Sequence, residues 1–386
     1  LFSWLLNEEQ LILRMVGAGV VGFVLVWLAA PRTIRFLIRS KLGDRPVFDH
    51  ADLNQLTRHK SNTPTMGGAL VVIAILVSVL LFGNLAKMYV RLSLFGLVWL
   101  GVLGGVDDWL KLRRIAGATG RDGLRSWEKI LFQIAGAVIL AWATWRYGSQ
   151  STPEGATINP AHGLVLPFIP YPIALAMPVY TLIAVITMVG ASNAVNLTDG
   201  MDGLATGCLT SVCAVLLLLS WVVGVAAWAE FLRVPLVAGA AEMTVICAAM
   251  LGACLGFLWY NAHPAQVFMG DTGSLPLGGL LGYIAVVTRQ EVILLLAGGV
   301  FVIEAASVML QVGYFKLTKP PGGGEGKRLF RCAPIHHHFH LAGWAESKVV
   351  IRFWILSILF ATLALATFLS QRLWRDPIGS ADGLIR

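Results

Sequence analysis

The hydrophobic positions of this chain gather into ten long runs, at about 11–31, 66–84, 91–108, 128–147, 173–194, 203–224, 236–259, 274–288, 292–315 and 349–371. Stretches such as LLLLSWVVGV are apolar at every position, which excludes a barrel of strands with alternating lipid-facing residues. A bilayer core of roughly 30 Å needs about 20 apolar residues per helix. The runs therefore predict an all-α, polytopic integral membrane protein of about ten transmembrane helices, with residues 1–386 forming one domain. The eighth run is short and the ninth long. The first is too long for a removable signal peptide and runs into Pro31-Arg32, with Arg35 and Arg39 beyond, so it reads as a retained anchor.

Composition agrees with this pattern. The 386 residues are 57% hydrophobic and 13% charged, with mean hydropathy +0.74, a balance that excludes a water-soluble globule. Charge then orients the spans. Stretches 32–60, 109–129 and 316–348 carry seven, six and six of the 29 basic residues. Cytoplasmic connections carry the excess of Lys and Arg, so the loops at about 32–65, 109–127, 195–202, 260–273 and 316–348 are expected on the cytoplasmic side and both termini on the other. The net charge of +8 belongs to that face and suits an anionic substrate or anionic lipid head groups. No nucleic-acid recognition fold accompanies it. The five cysteines lack metal-type or disulfide-type spacing and read as packing residues.

Candidate chemistry lies in the polar connections. In K-S-N-T-P-T-M-G-G, Lys60 and Thr65 precede the start of the second run, where free backbone N–H groups would suit a phosphate; a plain helix cap is the alternative. The third run ends G-G-V-D-D-W-L-K. Adjacent helical positions point about 100° apart, so Asp107 and Asp108 are expected to serve different purposes, with Lys111 one turn on. The fifth run leads into S-N-A-V-N-L-T-D-G-M-D-G, in which Asn193, Asn196, Asp199 and Asp202 recur every three residues; this suits nucleoside hydrogen bonding or cation coordination, and turn formation alone would explain the Asp-Gly pairs. Asn261, His263, Phe268 and Asp271 follow the seventh run. Asp271, beside glycines, suits a Mg2+ ligand or a helix cap, and Phe268 a base-stacking or packing residue. P-I-H-H-H-F-H places His336, His337 and His338 too closely for an ordinary zinc site and better as phosphate donors. Within the ninth run stand Glu304 and Gln311; an intramembrane glutamate is functional by default, or satisfied by a neighbouring helix.

Taken in order, K-S-N-T-P-T-M-G-G, G-G-V-D-D-W-L-K, N-A-V-N-L-T-D-G-M-D-G-L-A, F-M-G-D-T-G-S-L and P-I-H-H-H-F-H resemble the motif set of the phospho-N-acetylmuramoyl-pentapeptide transferases, within the polyprenyl-phosphate N-acetylhexosamine-1-phosphate transferase superfamily. The resemblance covers residues 60–348. It implies an enzyme of the bacterial cytoplasmic membrane that moves phospho-MurNAc-pentapeptide from UDP-MurNAc-pentapeptide to undecaprenyl phosphate, giving lipid I and UMP for peptidoglycan, with Mg2+ as cofactor and membrane lipid around it. By the same resemblance Asp107, Asp108 and Asp271 match catalytic aspartates, and Asp271 the metal ligand. Lys111, Asn196, Asp199, Asn261 and Phe268 match a uridine-diphosphate site, His336–His338 a motif near the phosphates and sugar, and Lys60, Thr65 and Lys129 further polar positions; beside these matches, Asp202 is expected with Asp199 on the nucleotide side and Gln311 among the substrate-binding residues. A homodimer follows from the resemblance alone. Two rival readings are a sister transferase using UDP-N-acetylglucosamine and an ion-coupled transporter. Against the transporter, the acids sit at span ends and no internal repeat is evident.

Overall fold

A computed structural model describes residues 10–39, 63–115, 123–149, 159–169, 172–320 and 324–374. Thirteen α-helices occur among them: α1 (Leu11–Arg39), α2 (Gly68–Phe82), α3 (Met88–Ile115), α4 (Ser126–Gly148), α5 (Met177–Thr198), α6 (Leu204–Gly224), α7 (Ala226–Phe231), α8 (Met243–Asn261), α9 (Asp271–Thr288), α10 (Glu291–Ala297), α11 (Gly299–Leu317), α12 (Ile335–Leu341) and α13 (Glu346–Trp374). Every predicted run carries helix. Eight helices are long and apolar enough to cross a membrane; α2, with 15 residues, is shorter. The protein is thus a helical, multi-pass membrane protein.

Four details differ from the sequence reading. The ninth run is two helices, α10 and α11, meeting at Gly298-Gly299, where a Cβ on Gly299 would press to about 2.5 Å of the Phe360 ring of α13. Helix α1 does not stop at Pro31 but continues to Arg39; Arg35 Nε donates to the Pro31 carbonyl at 3.1 Å and supports that last stretch. Helices α3 and α5 likewise extend to Ile115 and Thr198, so Lys111 and Asn196 are helical rather than in loops. Finally, a two-residue antiparallel ladder, β1 (Gly163–Leu164) with β2 (Ile173–Ala174), closes the connection before α5, in register Gly163↔Ala174.

Helix α9 is the axis of the bundle. All of its residues from Asp271 to Thr288 are buried, and it packs on α5, α3, α6 and α2. Water does not drive helix association within a bilayer, so close backbone approach does more of the work. Gly68 of α2 meets Gly273 of α9 so tightly that a Cβ on either would collide with the other's Cα. The five cysteines are free, and four of them are buried between helices.

The end of the bundle opposite Gly68 is fastened by buried charge. Arg14 of α1 makes a bidentate pair with Glu242, at 2.8 and 2.9 Å, and also donates to the Phe82 carbonyl at the end of α2. Glu242 further accepts from Asn84 N at 3.1 Å. The last residues of α9 lead into a second knot: Arg289 pairs with Glu291 at 2.7 Å, donates to Gly163 O at 2.9 Å and lies 4.6 Å over the Tyr180 ring. The two knots together form a structural clasp at this end.

Removing one member of a buried ion pair strands the other charge, at a cost of about 3–5 kcal/mol. Arg14→Ala is expected to lower the thermal unfolding midpoint of the detergent-solubilised protein clearly, whereas Arg14→Met with Glu242→Leu recovers most of the loss. A single variant as stable as the parent would contradict the clasp.

Candidate active site

Three carboxylates from two helices meet at one end of the bundle. Asp107 and Asp108 lie near the end of α3 and Asp271 at the first position of α9, and one oxygen of each falls within 4.8 Å of the others. All three are buried. The 100° offset between Asp107 and Asp108 separates their partners. Asp108 turns toward α9: it accepts from Asp271 N at 3.2 Å, Thr272 N at 2.8 Å and Thr272 Oγ1 at 2.7 Å. It thereby satisfies N–H groups that a helix start leaves unpaired. Gly270, at φ +70°, makes the turn into α9, and a Cβ there would lie 2.6 Å from Asp108 Oδ2 and 3.0 Å from Thr65 Oγ1. Only glycine fits both the dihedral and the space.

Asp107 turns the other way. Its Oδ2 is shared by Lys111 Nζ at 2.6 Å and Lys129 Nζ at 3.0 Å, and its Oδ1 accepts from Leu124 N at 2.7 Å. The same lysines reach Asp271 Oδ2, at 3.3 and 2.8 Å, while Asn196 Nδ2 donates to Asp271 Oδ1 at 2.7 Å and to Ser274 Oγ at 2.9 Å. Two ammonium groups therefore bridge carboxylates from α3 and α9. Lys111 is 39% exposed and Lys129 21%, so the cations form the accessible lid of a buried acidic floor. Such a floor, all oxygen donors, has the chemistry of a hard divalent cation site.

Asp199 caps the end of α5, its N–H donating to Asn196 O at 3.2 Å. Loss of hydration, reinforced by the negative charge of Asp271 and Asp108, pushes its carboxyl up to about 8. Near neutrality it is mostly protonated. Asp202, three residues on, does not join the cluster. Its carboxylate accepts from His263 Nδ1 at 3.1 Å and Ala265 N at 3.0 Å, and its N–H donates to Glu346 Oε1 at 3.0 Å. It ties the α5–α6 and α8–α9 connections to the start of α13.

Other expected residues occupy a range of settings. Asn261 is buried and bonded to Thr206 Oγ1 at 2.8 Å and Val267 O at 2.9 Å, which fixes the α8–α9 connection. Phe268 is half-buried; its N–H donates to Pro64 O at 2.8 Å and its carbonyl accepts from Gly67 N at 2.9 Å. Gly68 N donates to Met269 O at 2.9 Å, so the N–H groups at the start of α2, expected to be free for a phosphate, are taken by the neighbouring loop. The loop reaches them because Gly68 and Gly273 let the two segments touch. Thr65 is buried beside Gly270; Lys60 lies outside the described residues.

Gln311 holds the 329–330 backbone through three hydrogen bonds of 2.8–3.2 Å. The histidines are not equivalent: His336 and His337 are buried, His336 Nδ1 lies 3.0 Å from Glu304 Oε2, and His338 Nδ1 accepts from Arg331 N at 3.1 Å. Sequence reading passed over Gln133, one helical turn beyond Lys129. It bonds Ser192 Oγ at 3.3 Å and Asn193 Nδ2 at 2.7 Å, backing the α5 face that carries Asn196. A glutamine in an apolar helix at i+4 from a lysine was the available signal.

The raised Asp199 carboxyl has a signed consequence. The folded state keeps a proton that the unfolded state releases near pH 4, so this group's contribution to stability falls from about pH 4 to about pH 8 and is level above. In cation-free protein, thermal midpoints of the parent should therefore decline more steeply across that window than those of Asp199→Asn. Parallel curves would show that Asp199 ionises normally.

Comparison with known proteins agrees with this arrangement. Residues 90–289 match the family described as Glycosyl transferase family 4. Three proteins named phospho-N-acetylmuramoyl-pentapeptide-transferase align along nearly their whole length. That of Desulfotalea psychrophila is 43% identical over 359 residues, 92% of either chain. That of Solidesulfovibrio magneticus is 44% identical over 371 residues, 95% of this chain and 96% of its own, and that of Rickettsia felis 41% over 350 residues, 91% of either chain. At such identity over nine-tenths of its length, and with the ordered aspartate motifs brought to one floor, this chain belongs to the phospho-N-acetylmuramoyl-pentapeptide transferase family.

Proposed function

We propose that the chain transfers phospho-MurNAc-pentapeptide from UDP-MurNAc-pentapeptide to undecaprenyl phosphate, giving lipid I and UMP, at the cytoplasmic face of the bacterial inner membrane. The observation that carries the reading is the buried Asp107, Asp108 and Asp271 floor under Lys111 and Lys129, at the end of membrane helices. A water-soluble nucleotide sugar and a membrane-held phosphate can meet only at such a boundary. In this reading the chain has ten spans, the broken α10–α11 pair being the ninth, with both termini outside and the floor on the cytoplasmic side; the Lys and Arg excess of the loops at 32–60, 109–129 and 316–348 supports it.

Both substrates are anionic, and phosphoryl transfer is mostly positioning plus electrostatic stabilisation. An oxygen of the lipid phosphate attacks the phosphorus attached to MurNAc; the bond from that phosphorus to the bridging oxygen breaks, and UMP leaves with that oxygen. The lipid phosphate's second pKa is about 6, so it arrives largely dianionic and needs no strong base. Asp107 already carries three donors, which suits it to ordering Lys111 and Lys129 against the incoming phosphates rather than to taking a proton. Asp108 keeps the start of α9, and so Asp271, in place. Asp271, with its neighbours Asp107 and Asp108, would hold Mg2+, which when bound supplies charge neutralisation at the diphosphate. Asp199 and Phe268 flank the floor where the nucleotide would lie.

Purified protein with undecaprenyl phosphate and Mg2+ is expected to release UMP from UDP-MurNAc-pentapeptide and not from UDP-N-acetylglucosamine. The opposite preference would assign it to the sister transferases. Asp271→Asn should lower turnover by about three orders of magnitude while leaving the thermal midpoint within a few degrees; near-parental turnover would remove Asp271 from the site. Direct attack also requires that UMP not exchange into UDP-MurNAc-pentapeptide without lipid. Exchange under those conditions would establish a covalent intermediate on the protein instead.

A further inference from the structure

The last span carries two cations on a face that looks into lipid. Arg352 lies six residues after Glu346, the start of α13, or about 9 Å along the helix. Its neighbours Ile351 and Ile355 are exposed, as apolar residues of a spanning helix are where they meet acyl chains. A guanidinium at that depth reaches back toward the membrane surface. Its Cζ lies 4.1 Å over the Trp344 ring, and Lys348 Nζ, one turn earlier on the same face, lies 5.7 Å from that ring. Neither cation has a carboxylate partner among the described residues. Like charges four residues apart repel on a helix surface, so the pair suits an anion that comes from outside the protein.

Beside the cations is a groove of about 430 Å3 between α11, α12 and α13. Trp344 and Phe339, stacked at 4.8 Å, line one end of it, and Ile303 of α11 and Leu356 of α13 line its length. Arg352 is its one charged lining residue. Helix α13 packs on α6 and α10 and only lightly on α11, which leaves the groove open to the lipid-facing surface. Tryptophan and basic residues at one level, with aliphatic residues beyond, follow the order of a membrane–water boundary. Charge and shape together complement an anionic amphiphile, with its head on the cations and its tail in the groove.

The groove is separate from the aspartate floor. Helix α12 stands between them: Ile335 and Phe339 line the groove, whereas His336 and His337 are buried and meet Gly200, beside Asp199. We propose that this groove binds an anionic glycerophospholipid of the bilayer, its phosphate held by Arg352 and Lys348 and one acyl chain seated along Phe339, Ile303 and Leu356. Basic pockets between spans recruit such head groups. A phosphate held there is kept from Asp107 and Asp271 by α12, so the occupant is a bound constituent of the membrane and not the phosphoryl acceptor. It would bind whichever reaction the floor performs.

Native mass spectrometry of the full-length, detergent-solubilised protein tests this with phosphatidylglycerol and phosphatidylcholine of identical chains. The parent is expected to retain phosphatidylglycerol about tenfold more strongly, the scale of one to two cations at a head group. Lys348→Gln with Arg352→Gln should reduce that preference to about twofold or less, whereas Arg91→Gln, an exposed basic residue at the opposite end of the bundle, should leave it unchanged. Ile303→Trp, which fills the groove, should lower retention of phosphatidylglycerol with both cations in place. Undecaprenyl phosphate should add to the phosphatidylglycerol-bound protein without displacing it. Equal retention of the two lipids by the parent, a preference that survives the double substitution or falls as far in Arg91→Gln, or displacement by undecaprenyl phosphate would each overturn the proposal. The parent comparison and the displacement experiment need no variant to fold.

Discussion

The capping of α9 by Asp108 is the contact on which the site depends. A helix buried along its whole length cannot leave its first N–H groups to water, so something must accept from Asp271 and Thr272. Asp108 accepts from both, and in doing so joins the end of α3 to the start of α9. Asp271 stands at the joined point, and Asp107, one residue before Asp108, is turned to the opposite side, where the lysines are. Three acids are thus held together because one of them is used as a structural cap. Gly270 completes the joint by bending the chain where no side chain fits.

Charge balance follows from the same joint. Three carboxylates in close quarters repel one another, and Lys111 and Lys129 offset this by bridging α3 and α9. Burial first, and the negative charge of Asp271 and Asp108 second, push the neighbouring Asp199 carboxyl up to about 8. The ammonium groups are the more exposed layer of this end and the carboxylates lie beneath them. Away from this end the bundle spends its buried charge differently. Arg14 with Glu242 and Arg289 with Glu291 are closed pairs, each fastening helix ends together. Glu304 with His336 is a third buried pair, at 3.0 Å, and joins α11 to α12.

Much of this was legible from the residues in order. Continuous apolar runs predicted helices because a bilayer leaves the backbone few other ways to satisfy its hydrogen bonds, and a helix occurs in each run. The separate duties of Asp107 and Asp108 followed from the 100° step between adjacent helical positions. Breaks governed by contacts with distant residues were not legible. The ninth run carries no local signal stronger than Gly298-Gly299 to divide it, and the Phe360 ring that crowds Gly299 lies about sixty residues away in the chain.

The sequence by itself determined the class of protein, the identity of the acidic, basic and amide side chains available for chemistry, and the helices that carry them, because hydropathy and residue type act locally. Only the tertiary structure decided which of those side chains share a site. Asp199 and Asp202 are equivalent in the sequence pattern, yet one stands at the floor and the other is bonded to His263 and Ala265. Three consecutive histidines likewise divide, with His336 on Glu304 and His338 on Arg331. The physical reason is that a polar group's role is set by which partner reaches it within about 3 Å, and those partners come from helices far apart in the chain.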